Sequence, residues 1–344
     1  MWLKTSLLVA LVAGSFQLYS VIQTTTIKFR GGTQYPASPP IANVTDAEKE
    51  AFHRDGFILK KGLFQGEELK ELITAGESVY SSWGVMDFFF KNTFAKLAMQ
   101  IWRRNKHFAQ IAFESTLPSI AAGLLGMKET ESVRILKDGF FGFKGKNNTG
   151  CGFHVDDKYF WPASDESTGV NFWLALSPMR ISEGGGIRVV NQSISKPFEE
   201  ECKAVIRAGP AATCDMEKLS PSCHERMQAA SATFDMEPGD ALMWDRWTFH
   251  RSEPFRIDTE EHKLRYTIRY VPGSAKAEGG PLHSSQQAGK TFEGAYYPQV
   301  WPKAVKAEVD AIRDGLEADF TFTGVLKNSA RALGSRLLGH KDSY

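Results

Sequence analysis

Two histidines far apart in the chain constrain this sequence more than any other feature. The first lies in Gly150-Cys151-Gly152-Phe153-His154-Val155-Asp156-Asp157. The second ends Gly239-Asp240-Ala241-Leu242-Met243-Trp244-Asp245-Arg246-Trp247-Thr248-Phe249-His250. In an extended strand, residues two apart point to one face. His154 and Asp156 therefore project an imidazole and a carboxylate side by side, with Asp157 on the other face. Such a pair is an incomplete ligand set, and His250 is the candidate to complete it. Asp240 follows Pro238-Gly239 and reads as a turn residue, while Asp245 reads as solvated or salt-bridged. A fold that satisfies this reading brings the second imidazole within about 6 Å of the first pair.

The hydrophobic pattern around these residues is that of short strands and Gly-rich turns. Val133–Leu136, Phe153–Asp157, Val170–Leu176, Ile187–Val190, Ala241–Trp244 and Arg265–Val271 read as strands, with turns such as Glu183-Gly184-Gly185-Gly186 between them. Many short strands of this kind predict a β-sandwich or jelly roll. Helices precede it. Thr45 with Glu48 forms a capping-box signature opening a helix to about Asp55. Gly56 ends it before a short strand, Phe57–Lys60. Gln65–Tyr80 carries Leu69, Leu72 and Ile73 on one face, and residues 86–126 read as helical, with Phe94, Leu97, Ile101 and Trp102 at helical spacing. Val305–Leu316 predicts a helix near the C-terminus, followed by a disordered tail. The fold class is α+β with a mainly β core.

Charge excludes one class of partner. The formal net charge is +1, with no Lys/Arg run, which disfavours nucleic acid. The N-terminus is distinct. Lys4 and the apolar Leu7–Ala13 core suit a secretory signal peptide or a signal anchor over residues 1–23, which would make an N-terminal membrane anchor. Residues 24–42 read as a Thr/Gly/Pro linker. Sequons at Asn43, Asn147 and Asn191 and the clustered Cys202, Cys214 and Cys223 agree with the secretory pathway, in the ER or Golgi lumen, where one disulfide is expected in that cluster. A zinc site from these cysteines and His224 is the weaker reading, because no Cys-x-x-Cys pair is present. Cys151 reads as a small buried side chain. His107, His224, His262 and His283 read as surface residues, and Tyr159 and Trp161 as either a substrate mouth or loop packing.

Two histidines and a carboxylate with the remaining positions open form the facial triad of non-haem Fe(II) oxygenases. Such chemistry needs a two-electron reductant, usually 2-oxoglutarate, whose distal carboxylate calls for a guanidinium and a hydroxyl. Lys263, Arg265, Thr267 and Arg269 alternate along one strand and share a face. Arg265 with Ser252 is the preferred pair, and Lys263 and Arg269 stay open by parity.

Over residues 43 to 275 the sequence resembles the phytanoyl-CoA dioxygenase family of Fe(II)/2-oxoglutarate oxygenases. The resemblance rests on Phe52-His53-Arg54-Asp55-Gly56-Phe57-Ile58-Leu59, on His154-Val155-Asp156, on Phe172-Trp173-Leu174-Ala175-Leu176, on the Glu183–Gly186 turn, on Gly239-Asp240 through His250-Arg251-Ser252, and on Arg265 to Pro272. It departs at Asn191-Gln192-Ser193, where Pro-Gly-Ser-His is common, and at Lys263, near which the family's cosubstrate Arg tends to lie. It implies a double-stranded β-helix, a cupin-like jelly roll, flanked by N-terminal and C-terminal helices. The catalytic domain would span 43–300 with an insertion at about 196–232, and 301–344 would form a helical extension and tail. It further implies Fe(II) on His154, Asp156 and His250, and 2-oxoglutarate held by Arg265 and Ser252 beside Trp173. O₂ would be cosubstrate, with ascorbate a candidate reductant. The expected reaction is hydroxylation of an unactivated C–H bond of a small molecule or lipid. The competing expectation is a jelly roll that binds metal without oxygenase activity.

Overall fold

The computed structural model describes residues 36–82, 87, 93–146, 148–156, 160–208, 216–256, 258, 261–278 and 288–319. The N-terminal targeting segment, most of the linker, Tyr159, Cys214, His283 and the tail lie outside them. Among the described residues no helix is long and apolar enough to cross a membrane.

The chain enters through α1 (Asp46–Asp55). The Thr45 hydroxyl accepts from the Glu48 amide and Glu48 accepts from the Thr45 amide, so the expected capping box forms. Gly56 ends the helix at φ 82°, a left-handed conformation that costs glycine little. β1 (Phe57–Lys60) and α2 (Gly66–Ser81) follow. The continuous helical region expected over 86–126 does not form. β2 (Lys96–Met99) is a strand, followed by a single 3₁₀ turn at Ile101–Arg103 and by the helices α3 (Lys106–Glu114) and α4 (Leu117–Leu124). Two physical reasons separate them. β2 hydrogen-bonds to a neighbouring strand, so tertiary pairing outweighs local spacing. Asn105 starts α3 by accepting from the amides of His107 and Phe108, and Pro118 sits in the first turn of α4.

β3 (Val133–Lys144) runs far beyond the expected Val133–Leu136. Its charged pair Lys137-Asp138, which reads as a strand end, is buried within the sheet. The remaining elements are β4 (Val170–Ala175), β5 (Ile187–Val190), α5 (Gln192–Ser195), α6 (Glu199–Ala208), α7 (Met216–Leu219), α8 (Pro221–Ala229), β6 (Ser231–Thr233), β7 (Ala241–Asp245), β8 (His250–Ser252), β9 (His262–Pro272), β10 (Gln299–Trp301) and α9 (Lys306–Asp319). The major sheet runs β1-β7-β4-β9-β3-β10, with β2 also on β3, and the minor sheet runs β6-β5-β8. Every pairing is antiparallel. The major sheet curls against the minor one, giving the expected jelly-roll, double-stranded β-helix core.

β9 shows how the layers are built. It is buried on both faces, so its period-two alternation separates two chemistries rather than core from solvent. Leu264, Tyr266, Ile268 and Tyr270 join the helices in the main apolar core with Phe108, Ala112 and Phe140. Each such side chain contributes roughly 1.5–3 kcal/mol by leaving water. Tyr266 donates to Asp138 and Tyr270 to the Ala112 carbonyl, both at 2.9 Å, which satisfies the buried hydroxyls. Lys263, Arg265, Thr267 and Arg269 take the opposite parity and face the barrel.

The described residues between β5 and β6 include α6, α7 and α8, and Cys202 of α6 and Cys223 of α8 are joined by a disulfide. That bond removes the zinc reading for this cluster. Cys151, read from sequence as an inert buried thiol, is disulfide-bonded too. Trp161 belongs to packing: it is fully buried with Leu136, Ala163 and Val271.

Candidate metal centre

The metal segment is held by one strand-like contact rather than the longer strand expected over 153–157. His154 and His250 form an isolated antiparallel bridge. Each amide donates to the other's carbonyl at 2.9 Å. The backbone alone thus sets the two imidazoles side by side, with ring centroids 4.3 Å apart. Asp156 completes the group. One donor atom from each of His154, Asp156 and His250 lies within 4.8 Å of the others, inside the limit the sequence reading demands. Asp156 Oδ1 stands 4.0 Å from His154 Nε2 and 3.7 Å from His250 Nε2.

Both rings are oriented by the same local device. His154 Nδ1 lies 2.7 Å from the Gly152 carbonyl, and His250 Nδ1 lies 3.1 Å from the Thr248 carbonyl. In each case the acceptor is two residues upstream. A carbonyl can only accept, so Nδ1 carries the proton and Nε2 offers its lone pair to the shared centre. Burial, together with the neighbouring His250, pulls His154 down to about 4, so its imidazole is neutral at pH 7. Burial pushes the Asp156 carboxyl up, but Arg269 and the imidazoles outweigh it and hold it well below the usual carboxylate range. Two imidazole nitrogen donors and one ionised oxygen donor fit a divalent transition metal. The ring of Trp244 packs 4.9 Å from that of His250 and closes the centre from the sheet side.

The family model for phytanoyl-CoA dioxygenase matches residues 52–258, which hold all three ligands. The chain belongs to the phytanoyl-CoA dioxygenase family. Solved structures of like shape agree on the fold. The α-ketoglutarate-dependent carbocyclase SnoK of nogalamycin biosynthesis is 16% identical, with a TM-score of 0.58 over 77% of this chain and 100% of that one. The epimerase SnoN, solved with Fe³⁺, α-ketoglutarate and nogalamycin RO, is 17% identical, with a TM-score of 0.54 over 73% of this chain and 96% of that one. EctD from S. alaskensis, solved with 2-oxoglutarate and 5-hydroxyectoine, is 16% identical, with a TM-score of 0.53 over 76% and 93%. No curated protein matches the sequence.

Within this phytanoyl-CoA dioxygenase family fold, the three basic residues of β9 that parity left equivalent have different surroundings. Lys263 is paired with Glu183 at 2.9 Å. Arg269 places Nε and Nη2 each 2.8 Å from Asp156 Oδ2. Among the described residues Arg265 has no carboxylate partner. Its Nη2 donates to Ser252 Oγ at 3.0 Å, and its Nε and Nη1 are buried without a partner. The guanidinium carbon lies 4.2 Å from the Phe143 ring, 5.3 Å from Phe141 and 5.4 Å from Trp173. Burial alone pulls Arg265 down to about 9. An aromatic-walled, uncompensated cation is costly unless an anion joins it.

Other expectations resolve individually. Asp240 is the turn residue expected, accepting from the Gly62 and Glu237 amides. Asp245 is half-buried and forms no ion pair among the described residues: it accepts from the Trp247 amide and Gln192, and burial raises its pKa. His224 is partly buried against Phe153 rather than on the surface. His107 and His262 are partly exposed and face Glu71 and Glu77. Sequence reasoning missed Gly150, whose φ is +67° and whose notional Cβ would lie 2.2 Å from Ser252 Cβ. Its position in the loop Asn148-Thr149-Gly150 carries no signal that a distant serine packs against it.

Proposed function

We propose that the protein is an Fe(II)- and 2-oxoglutarate-dependent dioxygenase that hydroxylates an unactivated C–H bond of a small molecule or lipid. The observation that carries the proposal is Arg265. A buried guanidinium with two unsatisfied N–H groups, hydroxyl-paired and ringed by aromatics, shares the barrel with an intact His154–Asp156–His250 triad. A dicarboxylate satisfies both sites at once.

His154 Nε2, Asp156 Oδ1 and His250 Nε2 would hold the iron. Arg265 and Ser252 bind the distal carboxylate, and Trp173 supplies an apolar wall beside it. Lys263 and Arg269 are excluded from this role by Glu183 and Asp156. The iron and 2-oxoglutarate, when bound, supply the electrons that activate O₂. The chain's own part is to orient the ligands through Gly152 and Thr248, to keep His154 neutral, and to exclude water with the Phe141–Phe143 wall. Ascorbate fits as a reductant that maintains ferrous iron.

Succinate release from 2-oxoglutarate tests the reading. The wild type is expected to turn over 2-oxoglutarate in the presence of Fe(II). Arg265→Met is expected to weaken 2-oxoglutarate binding by a factor of 100 or more, since it removes a buried charged partner worth about 3–5 kcal/mol, while metal binding stays. Unchanged 2-oxoglutarate affinity in Arg265→Met would overturn the assignment. Iron binding without any succinate release would favour the metal-binding jelly roll. We also propose maturation in the secretory pathway. The Cys202–Cys223 bond and the bonded Cys151 support it, and free thiols in protein recovered from its native cells would refute it.

A further inference from the structure

We infer that Arg269 is a positioning residue that reserves open coordination at the metal and favours the anionic cosubstrate over the bare cation. The inference rests on the proposed iron and 2-oxoglutarate chemistry. Asp156 has two oxygens with different tasks. Oδ2 accepts from Nε of Arg269 at 2.8 Å, and Nη2 of the same guanidinium lies 2.8 Å from that oxygen as an ion contact. Oδ1 stands 3.7 and 4.0 Å from the two imidazole nitrogens. A carboxylate whose second oxygen is held by a guanidinium presents the other oxygen to a cation. Without that fork the same carboxylate is free to offer both, which consumes a position that a chelating cosubstrate needs.

Charge works in the same direction. Arg269 is 4% exposed and lies on the strand that also carries the uncompensated Arg265. Its guanidinium packs over the Phe160 ring at 5.1 Å, and its Nη1 has no partner among the described residues. A fixed cation touching a metal ligand repels an arriving divalent ion and attracts an arriving dianion. Removing it should therefore move the two affinities oppositely. Support that merely holds the fold would move both downward together.

Arg269→Met and Arg269→Lys would be compared with wild type by anaerobic titration. Co(II) or Fe(II) would be titrated first alone, then 2-oxoglutarate into the metal-loaded protein, with melting temperature alongside. In Arg269→Met the metal is expected to bind no more weakly than in wild type, and 2-oxoglutarate about tenfold more weakly, through loss of a fixed positive charge beside the dianion. Arg269→Lys keeps the charge but loses the fork, and its 2-oxoglutarate affinity should fall between the two. Metal affinity reduced tenfold or more in either variant, or 2-oxoglutarate affinity within twofold of wild type in Arg269→Met, would overturn the inference. Should Arg269→Met fail to fold, Arg269→Lys decides by the same criteria. A wild type that binds metal but no 2-oxoglutarate would end the proposed function, and the metal titration would still judge Arg269.

Discussion

Single residues here do opposite things on the two faces of one strand. Arg265 faces the barrel without a counter-charge among the described residues, whereas one position further along β9 Tyr266 faces the helices and has its hydrogen-bond partner. Its hydroxyl donates to Asp138, which also accepts from the Trp102 amide at 2.9 Å. Asp138 is fully buried, and that burial raises its pKa from 3.8 to about 7 despite these donors. The folded state therefore binds a proton that the unfolded chain has released, and stability falls as pH rises from about 4 to about 7. The loss is on the order of 4 kcal/mol at most. Asp138→Asn keeps an acceptor and removes the charge. Urea unfolding across pH 4–8 should show the wild-type decline and a flatter profile in the variant. A variant as steep as wild type would place the pH dependence elsewhere. The parity that separates these two roles is legible in the sequence; the partners are not, because Asp138 and Ser252 lie on other strands.

At the level of elements, the site depends on loops being tied to the sheet. Arg246 follows β7 and is almost fully buried. Its guanidinium donates to the carbonyls of Ala163 at 3.0 Å and Ser167 at 3.2 Å, and also to that of Ser164. It packs over Trp247 at 4.4 Å and Trp161 at 5.6 Å. One side chain thus satisfies several backbone acceptors of the loop that leads from the metal segment to β4. Arg246→Met would remove these donors, at about 1–3 kcal/mol for a buried acceptor left unsatisfied. Limited proteolysis should then cut within 160–168 faster than in wild type, and an unchanged cleavage rate would show that the loop is held by other contacts. Strand lengths were only partly readable at this scale. The expected Val133–Leu136 strand is only the first part of β3, and helical spacing hides β2, because hydrogen bonding to a distant partner outweighs local preference.

For the whole molecule, the helical segment between β5 and β6 packs beside the metal segments. Its α6 and α8 are joined by Cys202–Cys223 and pack with Phe153 and Phe249, the neighbours of the two metal histidines. Replacing both cysteines by alanine should cost about 2–4 kcal/mol, the usual contribution of a disulfide closing a loop of this size. The measurement is the shift in chemical denaturation midpoint, and a shift near zero would mean that the insertion is already rigid. The sequence by itself determined the jelly-roll class, the capped first helix, the His154–Asp156–His250 set and the common face of Lys263, Arg265 and Arg269. The cap, the His154–Asp156 pair and the shared face follow from spacing and alternation, which are local, whereas the choice of a jelly roll over a β-sandwich follows from the resemblance to the phytanoyl-CoA dioxygenase family. Only the tertiary structure decided which of the three cations is unpaired, because that depends on where Glu183, Asp156 and Ser252 arrive. It also decided that the two metal histidines share a backbone bridge, since a contact between residues nearly a hundred positions apart is a property of sheet register and not of local sequence.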